Sequence, residues 1–311
     1  MLSAMPNHFL IVRNLSKSFG SKRAVDDVSF EVEEKEIYGI LGPNGSGKTT
    51  LLNIIAGIVS PDSGEVLING LTPFDLRSRE LIGYCPQEPV VYDELTGFEN
   101  LMFYAGLHGL GRQARKRCKE LLDLMRLSDY ADEKVGRYSG GMKKRLSFAI
   151  SLLGDPNILL LDEPTVGLDP SIRRLVWDII LDLKRCGKSV LLATHYMEEA
   201  DLLADEVAIM NLGRIIVEDA PEVLKQNFGP KAVVAVELAE AANLPSLEQF
   251  EFGDKIIYED GILKVYVDDP DQAAPSLISM LLQRGFKLNA LKIIRPTLED
   301  VFLNLTGRRL E

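Results

Sequence analysis

The sequence of 311 residues is long enough for two domains, each with its own hydrophobic core. It contains 35 Lys and Arg residues against 46 Asp and Glu residues, and the net charge of −11 argues against a general nucleic-acid-binding protein. The longest apolar runs are far shorter than the ~20 residues of a membrane-spanning helix, and the N-terminus lacks a signal-peptide pattern. Three scattered cysteines do not form a disulfide framework. These features predict a soluble cytoplasmic protein.

The patterns in the first two thirds of the chain predict an α/β fold. The predicted elements are, in chain order, strands within 8–19 and 25–41, a helix at 48–58, mostly helix from about 90 to 155, a strand at 157–164, a helix at 171–187 and a strand at 189–195. The last two strands are short continuous apolar runs, which are typical of buried parallel strands. The amphipathic helix between them gives the strand–helix–strand alternation of a parallel sheet.

A smaller unit is predicted at the C-terminal end. The segment 221–231 breaks the preceding pattern with two prolines and a glycine. The elements predicted beyond it are a strand at 232–238, a short helix at 246–250, a hairpin at 255–267 that turns at Asp260–Gly261, a helix at 273–285, a strand at 287–294 and a closing helix at 297–307. This βαββαβ order fits a ferredoxin-like domain. The predicted domains are therefore 9–228, with a helical subdomain at about 90–155, and 230–311.

A phosphate-binding loop lies between the first predicted helix and the strand before it. Residues 42–50 read GPNGSGKTT and satisfy the pattern G-x-x-x-x-G-K-[ST]. Glycines let backbone N–H groups curve around phosphate oxygens at a helix N-terminus. Lys48 adds a charge near the β- and γ-phosphates, and the Thr49 hydroxyl is positioned for Mg²⁺. The predicted nucleotide-binding residues here are Gly42, Asn44, Gly45, Ser46, Gly47, Lys48, Thr49 and Thr50.

Two acidic residues end the predicted strand at 157–164. Asp162 closes the apolar run ILLLD, and Glu163 follows it directly. A phosphate-binding loop needs a carboxylate for its metal ion, and Asp162 is placed to hold Mg²⁺ through the ion's coordination shell. Glu163 is placed to orient the attacking water as a general base. The two motifs together predict a nucleotide-binding and nucleotide-hydrolysing protein.

Further motifs indicate which class of nucleotide-hydrolysing protein this is. Residues 138–145, YSGGMKKR, place a serine and two glycines before a helix, which is a second anion site. Gln87 lies in YCPQEP, Asp169 in GLDP and His195 in ATHYMEEAD. All these motifs together resemble those of the ATP-binding-cassette (ABC) ATPases, in the order found in that family. The resemblance covers about 9–228.

In the family that the sequence resembles, two cassettes sandwich two ATP molecules. The resemblance implies that Ser139, Gly140 and Gly141 of one chain contact the γ-phosphate held by the Lys48 loop of the partner. It also implies that Asp169 contacts the opposing subunit.

The remaining implied contacts are to ATP and its surroundings. Gln87 reaches Mg²⁺ and the attacking water, and His195 reaches the γ-phosphate. Phe19 lies 48 − 19 = 29 residues before Lys48 and matches the aromatic residue that stacks on adenine. Core packing of Phe19 is the alternative.

Two positions depart from the family pattern. Met142 stands where the family often has glutamine, and Phe19 stands where tyrosine is common. Neither change removes a phosphate ligand. The segment YSGGMKKR and the tail at 295–307, RPTLEDVFLNLTG, resemble a subgroup that serves two-component exporters of drugs, lipids or ions.

The function predicted from this resemblance is that of an ATP-hydrolysing subunit of an ABC transporter. It implies a separate transmembrane permease, a second ATP-binding subunit, a position on the inner face of the cell membrane, and no nucleic-acid partner. In the family, the neighbourhood of Tyr92, Phe98, Phe103 and Tyr104 receives a cytoplasmic helix of the permease; core packing accounts for about half of these side chains. The alternatives are a soluble ABC ATPase that acts on ribosomes or DNA, and a nucleotide-sensing dimer with negligible hydrolysis.

Overall fold

The structure is a computed structural model, which describes residues 8–239 and 255–307. These residues form two compact units, divided between Pro221 and Glu222. No helix within the described ranges combines the length and the apolar composition needed to cross a membrane.

The larger unit alternates strands with helices. In chain order it contains β1 (His8–Phe19), β2 (Lys22–Glu33), β3 (Ile37–Leu41), α1 (Lys48–Ile55), β4 (Ser63–Ile68), α2 (Leu76–Leu81), β5 (Ile82–Cys85), α3 (Gly97–Leu107), α4 (Ala114–Leu124), α5 (Gly140–Ser151), β6 (Ile158–Asp162), α6 (Pro170–Arg185), β7 (Ser189–Thr194), α7 (Met197–Leu203), β8 (Glu206–Asn211) and β9 (Arg214–Asp219). Short 3-10 helices occupy 111–113, 128–130 and 135–137.

A six-stranded sheet in the order β5-β6-β7-β3-β8-β9 forms the centre of this unit. Its strands are parallel except for β9, which runs antiparallel to β8 at one edge. Strands β3, β6 and β7 are buried along their whole length. A parallel strand covered on both faces must be apolar throughout, and this explains the continuous apolar runs in the sequence. The predicted buried parallel strands are confirmed.

The two faces of the sheet are covered by different layers. Leu160 of β6 packs with α1 and with the antiparallel sheet β2-β1-β4. Its neighbour Leu159 points to the other face and packs with the cluster formed by α3, α4, α5 and α6. Successive strand residues alternate between faces, so β6 serves both cores. The carboxyl ends of β3, β5, β6 and β7 lie along one edge of the sheet, where ligands bind in open α/β sheets.

The smaller unit is an antiparallel sheet packed with helices. From α8 (Pro221–Phe228), which begins at the division, it contains β10 (Ala232–Leu238), β11 (Lys255–Glu259), β12 (Ile262–Val267), α9 (Pro270–Gln283), β13 (Leu288–Ile294) and α10 (Leu298–Thr306). The strand order β11-β12-β10-β13, antiparallel throughout, agrees with the predicted ferredoxin-like arrangement. The predicted hairpin turn is confirmed, with φ of 51° at Asp260 and 81° at Gly261. The helix predicted at 246–250 lies outside the described residues.

Candidate active site

The phosphate-binding loop lies between β3 and α1, as predicted. Gly42 has no room for a side chain, because a Cβ atom there would lie 2.2 Å from the Met210 carbonyl oxygen. Gly47 has a φ of 114°, and its Cβ would lie 2.1 Å from the carbonyl oxygen of Ala24. The backbone therefore folds tightly at both ends of the loop, and only glycine satisfies these two positions. The supporting contacts from β2 and β8 were not predictable, since these strands are remote from the loop in sequence.

Lys48 is the first residue of α1 and lies almost fully buried. Its Nζ donates to the carbonyl oxygens of Gly42, at 2.7 Å, and Pro43, at 3.1 Å. Nζ also lies 3.3 Å from Oε1 of Glu163, whose side chain is 3% exposed. Burial lowers the pKa of Lys48, while the nearby Glu163 carboxylate opposes that change. The ammonium group is thus held at the loop by two carbonyls and one carboxylate.

Glu163 lies at the end of β6 and contacts residues at the end of the neighbouring strand β7. It follows β6 in a left-handed backbone conformation, with a φ of 51°, and its N–H donates to the Ala193 carbonyl of β7 at 2.9 Å. Oε2 of Glu163 lies 2.7 Å from Nδ1 of His195, the residue after β7. One oxygen of this carboxylate therefore faces Lys48 and the other faces His195. The chain brings these three predicted site residues into direct contact.

Asp162 and Thr49 form the adjacent part of the site. Asp162 is fully buried, and neither of its carboxylate oxygens has a hydrogen-bond partner of good geometry among the described residues. Burial raises the pKa of Asp162; the nearby Thr49 hydroxyl opposes this by favouring the charged form. Gln87 is exposed in the segment after β5. It lines a cavity of about 550 Å³ together with Thr49 and Asp162. A hydroxyl, a carboxylate and an amide are hard oxygen donors, and this set fits Mg²⁺.

A second cavity, of about 280 Å³, adjoins the first at Thr49 and Gln87. Its lining combines the phosphate-binding loop, Glu163 and two residues of β2: Lys22, Ala24, Asn44, Gly45, Gly47, Lys48, Thr49, Thr50, Gln87 and Glu163. Ser46 of the loop is buried and forms no part of this lining. Lys22 and Ala24 belong to no recognisable motif, and the sequence therefore did not predict them as residues of the site.

The remaining predicted residues line neither cavity. Ser139 caps α5, with its Oγ accepting from the Met142 N–H at 3.2 Å, and Gly140 begins that helix. Asp169 caps α6 in the same way through Ile172. The Ser171 hydroxyl and then the Ile172 amide lower the pKa of Asp169.

Phe19 ends β1 with 53% of its surface exposed, so the alternative of core packing is wrong. Nζ of Lys17 lies 5.6 Å from the centroid of its ring. The exposed part of the Phe19 ring is accessible to a planar ligand.

Comparison with known proteins assigns the chain to a family. Residues 25–166 match the ABC transporter family, and residues 220–306 match the C-terminal domain of DrrA1-3-like ATP-binding proteins. The daunorubicin resistance ATP-binding protein DrrA3 of Streptomyces coeruleorubidus is 37% identical over 97% of this chain and 97% of its own. The Nod factor export ATP-binding protein I of Burkholderia lata is 39% identical over 99% of this chain and 100% of its own. The chain belongs to the ABC transporter ATP-binding proteins.

The cassette of this ABC ATPase also resembles solved structures. A dimeric ATP-binding cassette in a post-hydrolysis state, bound to ADP and phosphate, is 29% identical with a TM-score of 0.64, over 68% of this chain and 98% of that one. The predicted family and fold class, an α/β cassette with a small C-terminal domain, are confirmed. The protein is an ATPase that binds ATP through this cassette.

Proposed function

We propose that this ABC ATPase powers export through a separate transmembrane permease and acts at the inner face of the cell membrane. ATP hydrolysis, the chemical part of the proposal, is carried by the contacts of Lys48 at the start of α1 with Glu163 and of Glu163 with His195 at two adjacent strand ends. The direction of transport is supported by relatives named for drug resistance and for Nod factor export. Residues 9–228 would form the ATP-binding domain and 230–311 an accessory domain.

ATP would bind at the phosphate-binding loop, with Mg²⁺ beside it. The residues that would hold the phosphates are Gly42, Asn44, Gly45, Ser46, Gly47, Lys48, Thr49 and Thr50. Thr49, Gln87 and Asp162 would hold Mg²⁺, which when bound neutralises charge on the phosphate oxygens. The buried Asp162 oxygens without good partners support this assignment, because a buried carboxylate is costly unless it is paired or bound to a metal.

Glu163 would orient and deprotonate the attacking water. Its carboxylate faces Lys48 on one side and His195 on the other, so its position is fixed by two residues that would themselves contact the γ-phosphate. A phosphate beside Lys48 would compete with Glu163 for the ammonium group. Gln87 lines the same cavity as Glu163 and would also contact the water.

Each complete site would need a second chain. Ser139, Gly140, Gly141 and Asp169 line neither cavity around Lys48. The first three lie at the N-terminus of α5, which is suited to an anion, and the Asp169 carboxylate caps α6. A dimer related by a two-fold axis would place Ser139, Gly140 and Gly141 against the ATP of the partner, and Asp169 against the partner chain itself. The dimeric structural relative supports this arrangement. Phe19 would stack on adenine within its own chain.

The permease would dock on the aromatic surface that follows Gln87. Tyr92 and Phe103 are 47% and 43% exposed, with ring centroids 5.1 Å apart, and Tyr104 packs beside them. Phe98 is only partly buried against the core. Exposed aromatic clusters are typical of protein interfaces. The cavity beside Asp162 includes Tyr104 and Val90, so a docked helix would adjoin the proposed magnesium ligands.

The test is site-specific crosslinking in source membranes. A photoreactive residue at Phe103 should capture one integral membrane protein, while the same probe at exposed Leu282 in the C-terminal unit should not. The captured protein should raise the ATPase rate when both are reconstituted. Crosslinks to ribosomal proteins, or to no membrane protein, would contradict the proposal.

A further inference from the structure

The loop from Glu163 to Asp169 joins β6 to α6 and carries a predicted site residue at each end. Its first three residues are buried, and Glu163 has the backbone conformation that L-residues rarely adopt. A buried loop needs partners for its polar groups. Two of these partners, Lys144 and Glu199, are buried charged side chains that lie outside the loop and line neither cavity of the site.

Lys144 holds the loop from α5. It is 6% exposed, and its Nζ donates to the carbonyl oxygen of Val166 at 3.2 Å. Burial lowers the pKa of Lys144, opposed by the surrounding acidic groups of Cys85, Glu163, Glu199 and Asp162.

The preceding residue, Lys143, shows the more common placement of a lysine at the protein surface. Lys143 is partly exposed and pairs at 2.7 Å with the exposed carboxylate of Asp93. Lysine is almost never fully buried unless it is paired, because desolvating its charge is costly. Burying the Lys144 ammonium group therefore carries a desolvation cost that the partly exposed Lys143 largely avoids.

Glu199 holds the loop from α7, four residues after His195. It is fully buried, and its Oε1 accepts from the Thr165 hydroxyl at 2.8 Å and from Nε1 of Trp177 at 3.0 Å. Burial raises the pKa of Glu199, while the hydroxyls of Thr194 and Thr165 oppose that rise. This carboxylate connects the loop to α6 and to the end of β7.

The far end of the loop meets the segment around Ser139. A Cβ atom at Gly141 would lie 3.3 Å from Cδ2 of Leu168, so the start of α5 packs directly on the loop. The loop thus contacts α5 twice, through Leu168 and through the Val166 carbonyl. These contacts form a continuous connection from Ser139 to Glu163 within one chain.

We propose that Lys144 and Glu199 are positioning residues that clamp the loop Glu163–Asp169 between α5 and α7 and so align the Glu163 carboxylate for hydrolysis. The proposal rests on the proposed function, in which Glu163 acts on the attacking water. Neither Lys144 nor Glu199 lines the two cavities in which ATP and Mg²⁺ would bind. Loss of the clamp therefore leaves ATP binding intact and slows the chemical step.

The experiment compares two matched pairs of variants of the full-length chain. Lys144→Met removes the buried charge and donor, and Lys143→Met makes the same change at the partly exposed neighbour. Thr165→Val removes the hydroxyl that donates to Glu199 and hardly changes the shape of the side chain. Thr165→Ser keeps that hydroxyl. The measurements are kcat and KM for ATP, with thermal unfolding to confirm the fold.

We expect Lys144→Met and Thr165→Val to lower kcat by about 10–100-fold, the scale of a small misplacement of a reacting group. KM should change less than about 3-fold, because binding contacts are retained. Lys143→Met should stay within about 2-fold of the original kcat, the ordinary range for substitutions away from such features. Thr165→Ser should also stay within about 2-fold, because serine keeps the hydroxyl that donates to Glu199. A merely structural role would lower the unfolding temperature without this separation of kcat from KM.

Three outcomes overturn the clamp: unchanged kcat in folded Lys144→Met, an equal loss in Lys143→Met, or equal kcat in Thr165→Val and Thr165→Ser. If Lys144→Met does not fold, the threonine pair decides. Glu163→Gln in the same assay separates this proposal from the one before it. Inactive Glu163→Gln with normal clamp variants contradicts the clamp alone, whereas active Glu163→Gln contradicts the proposed function as well.

Discussion

Nδ1 of His195 lies 2.7 Å from Oε2 of Glu163, while the other oxygen of that carboxylate lies 3.3 Å from Nζ of Lys48. The Glu163 carboxylate is 3% exposed, so water competes little for these contacts. The three side chains form one unit at the ends of β6, β7 and the phosphate-binding loop. A substitution of any one of them should change the positions of the other two side chains. The effects of such substitutions on the rate of hydrolysis are therefore not additive.

Glu163→Gln should bind ATP and hydrolyse it about 10²–10⁴-fold more slowly, the usual contribution of a general base. The lost negative charge should also favour a lasting ATP-bound dimer. Phosphate release and size-exclusion chromatography with ATP measure both effects. Glu198→Gln, at an exposed position of α7, is the control and should keep normal turnover. Near-normal turnover in Glu163→Gln would contradict the assigned role.

Gly42→Ala should abolish ATP binding and destabilise the fold. The added Cβ would lie 2.2 Å from the Met210 carbonyl, and overpacking of this kind costs about 1–3 kcal/mol. Gly106→Ala is the control, since nothing lies within 4 Å of its added Cβ and the position is helical. Fluorescent-nucleotide titration and thermal unfolding decide the comparison. Normal ATP binding by Gly42→Ala would show that the loop is less tightly packed than the structure describes.

The site could be predicted from the sequence wherever a short motif fixes a strand end. Glu163 and His195 follow two buried apolar runs, and neighbouring parallel strands bring such ends together. The positions of Lys144 and Glu199 were not predictable. In the run GGMKKR, two adjacent lysines look alike, and only the packing of α5 decides that Lys143 faces outward and Lys144 inward.

In the smaller unit, too, the sequence predicted the elements but not the details that depend on the folded backbone. Its strands and hairpin followed from the alternation of residues, yet α9 begins at Pro270 and not at 273, because Asp269 caps it through the N–H groups of Asp271 and Gln272. A cap depends on local backbone geometry, which the periodic pattern of the helix does not report.

A chain ending at 229, which keeps α8 and lacks β10 to α10, should remain folded and bind ATP. The smaller unit has its own core around Val234, Val265 and Leu277, so the cassette core does not depend on it. Circular dichroism and nucleotide titration of the shortened chain are the measurements. A soluble product that binds no nucleotide would contradict the proposed domain division.

Alkylation at mildly alkaline pH should label Cys186 and leave Cys85 unmodified. Cys186 is exposed, whereas Cys85 is buried, and burial raises the pKa of its thiol to about 12. The thiolate is the reactive form, and little of it exists below that pKa. Mass spectrometry of the alkylated chain, before and after unfolding in denaturant, reports each site. Equal labelling of both cysteines in the folded chain would contradict the packing of β5.

The central claim is that Lys48 of one chain and Ser139 of its partner complete one ATP site. Chains carrying Lys48→Ala and chains carrying Ser139→Arg, each also with Glu163→Gln to prevent hydrolysis, are mixed, and doubly tagged heterodimers are isolated. Each heterodimer then has one site with both faults and one site with neither. The measurement is the ATP retained by these heterodimers through gel filtration. About one ATP per heterodimer, with almost none in either homodimer, is the predicted result. Heterodimers that retain no more ATP than the homodimers would contradict the account.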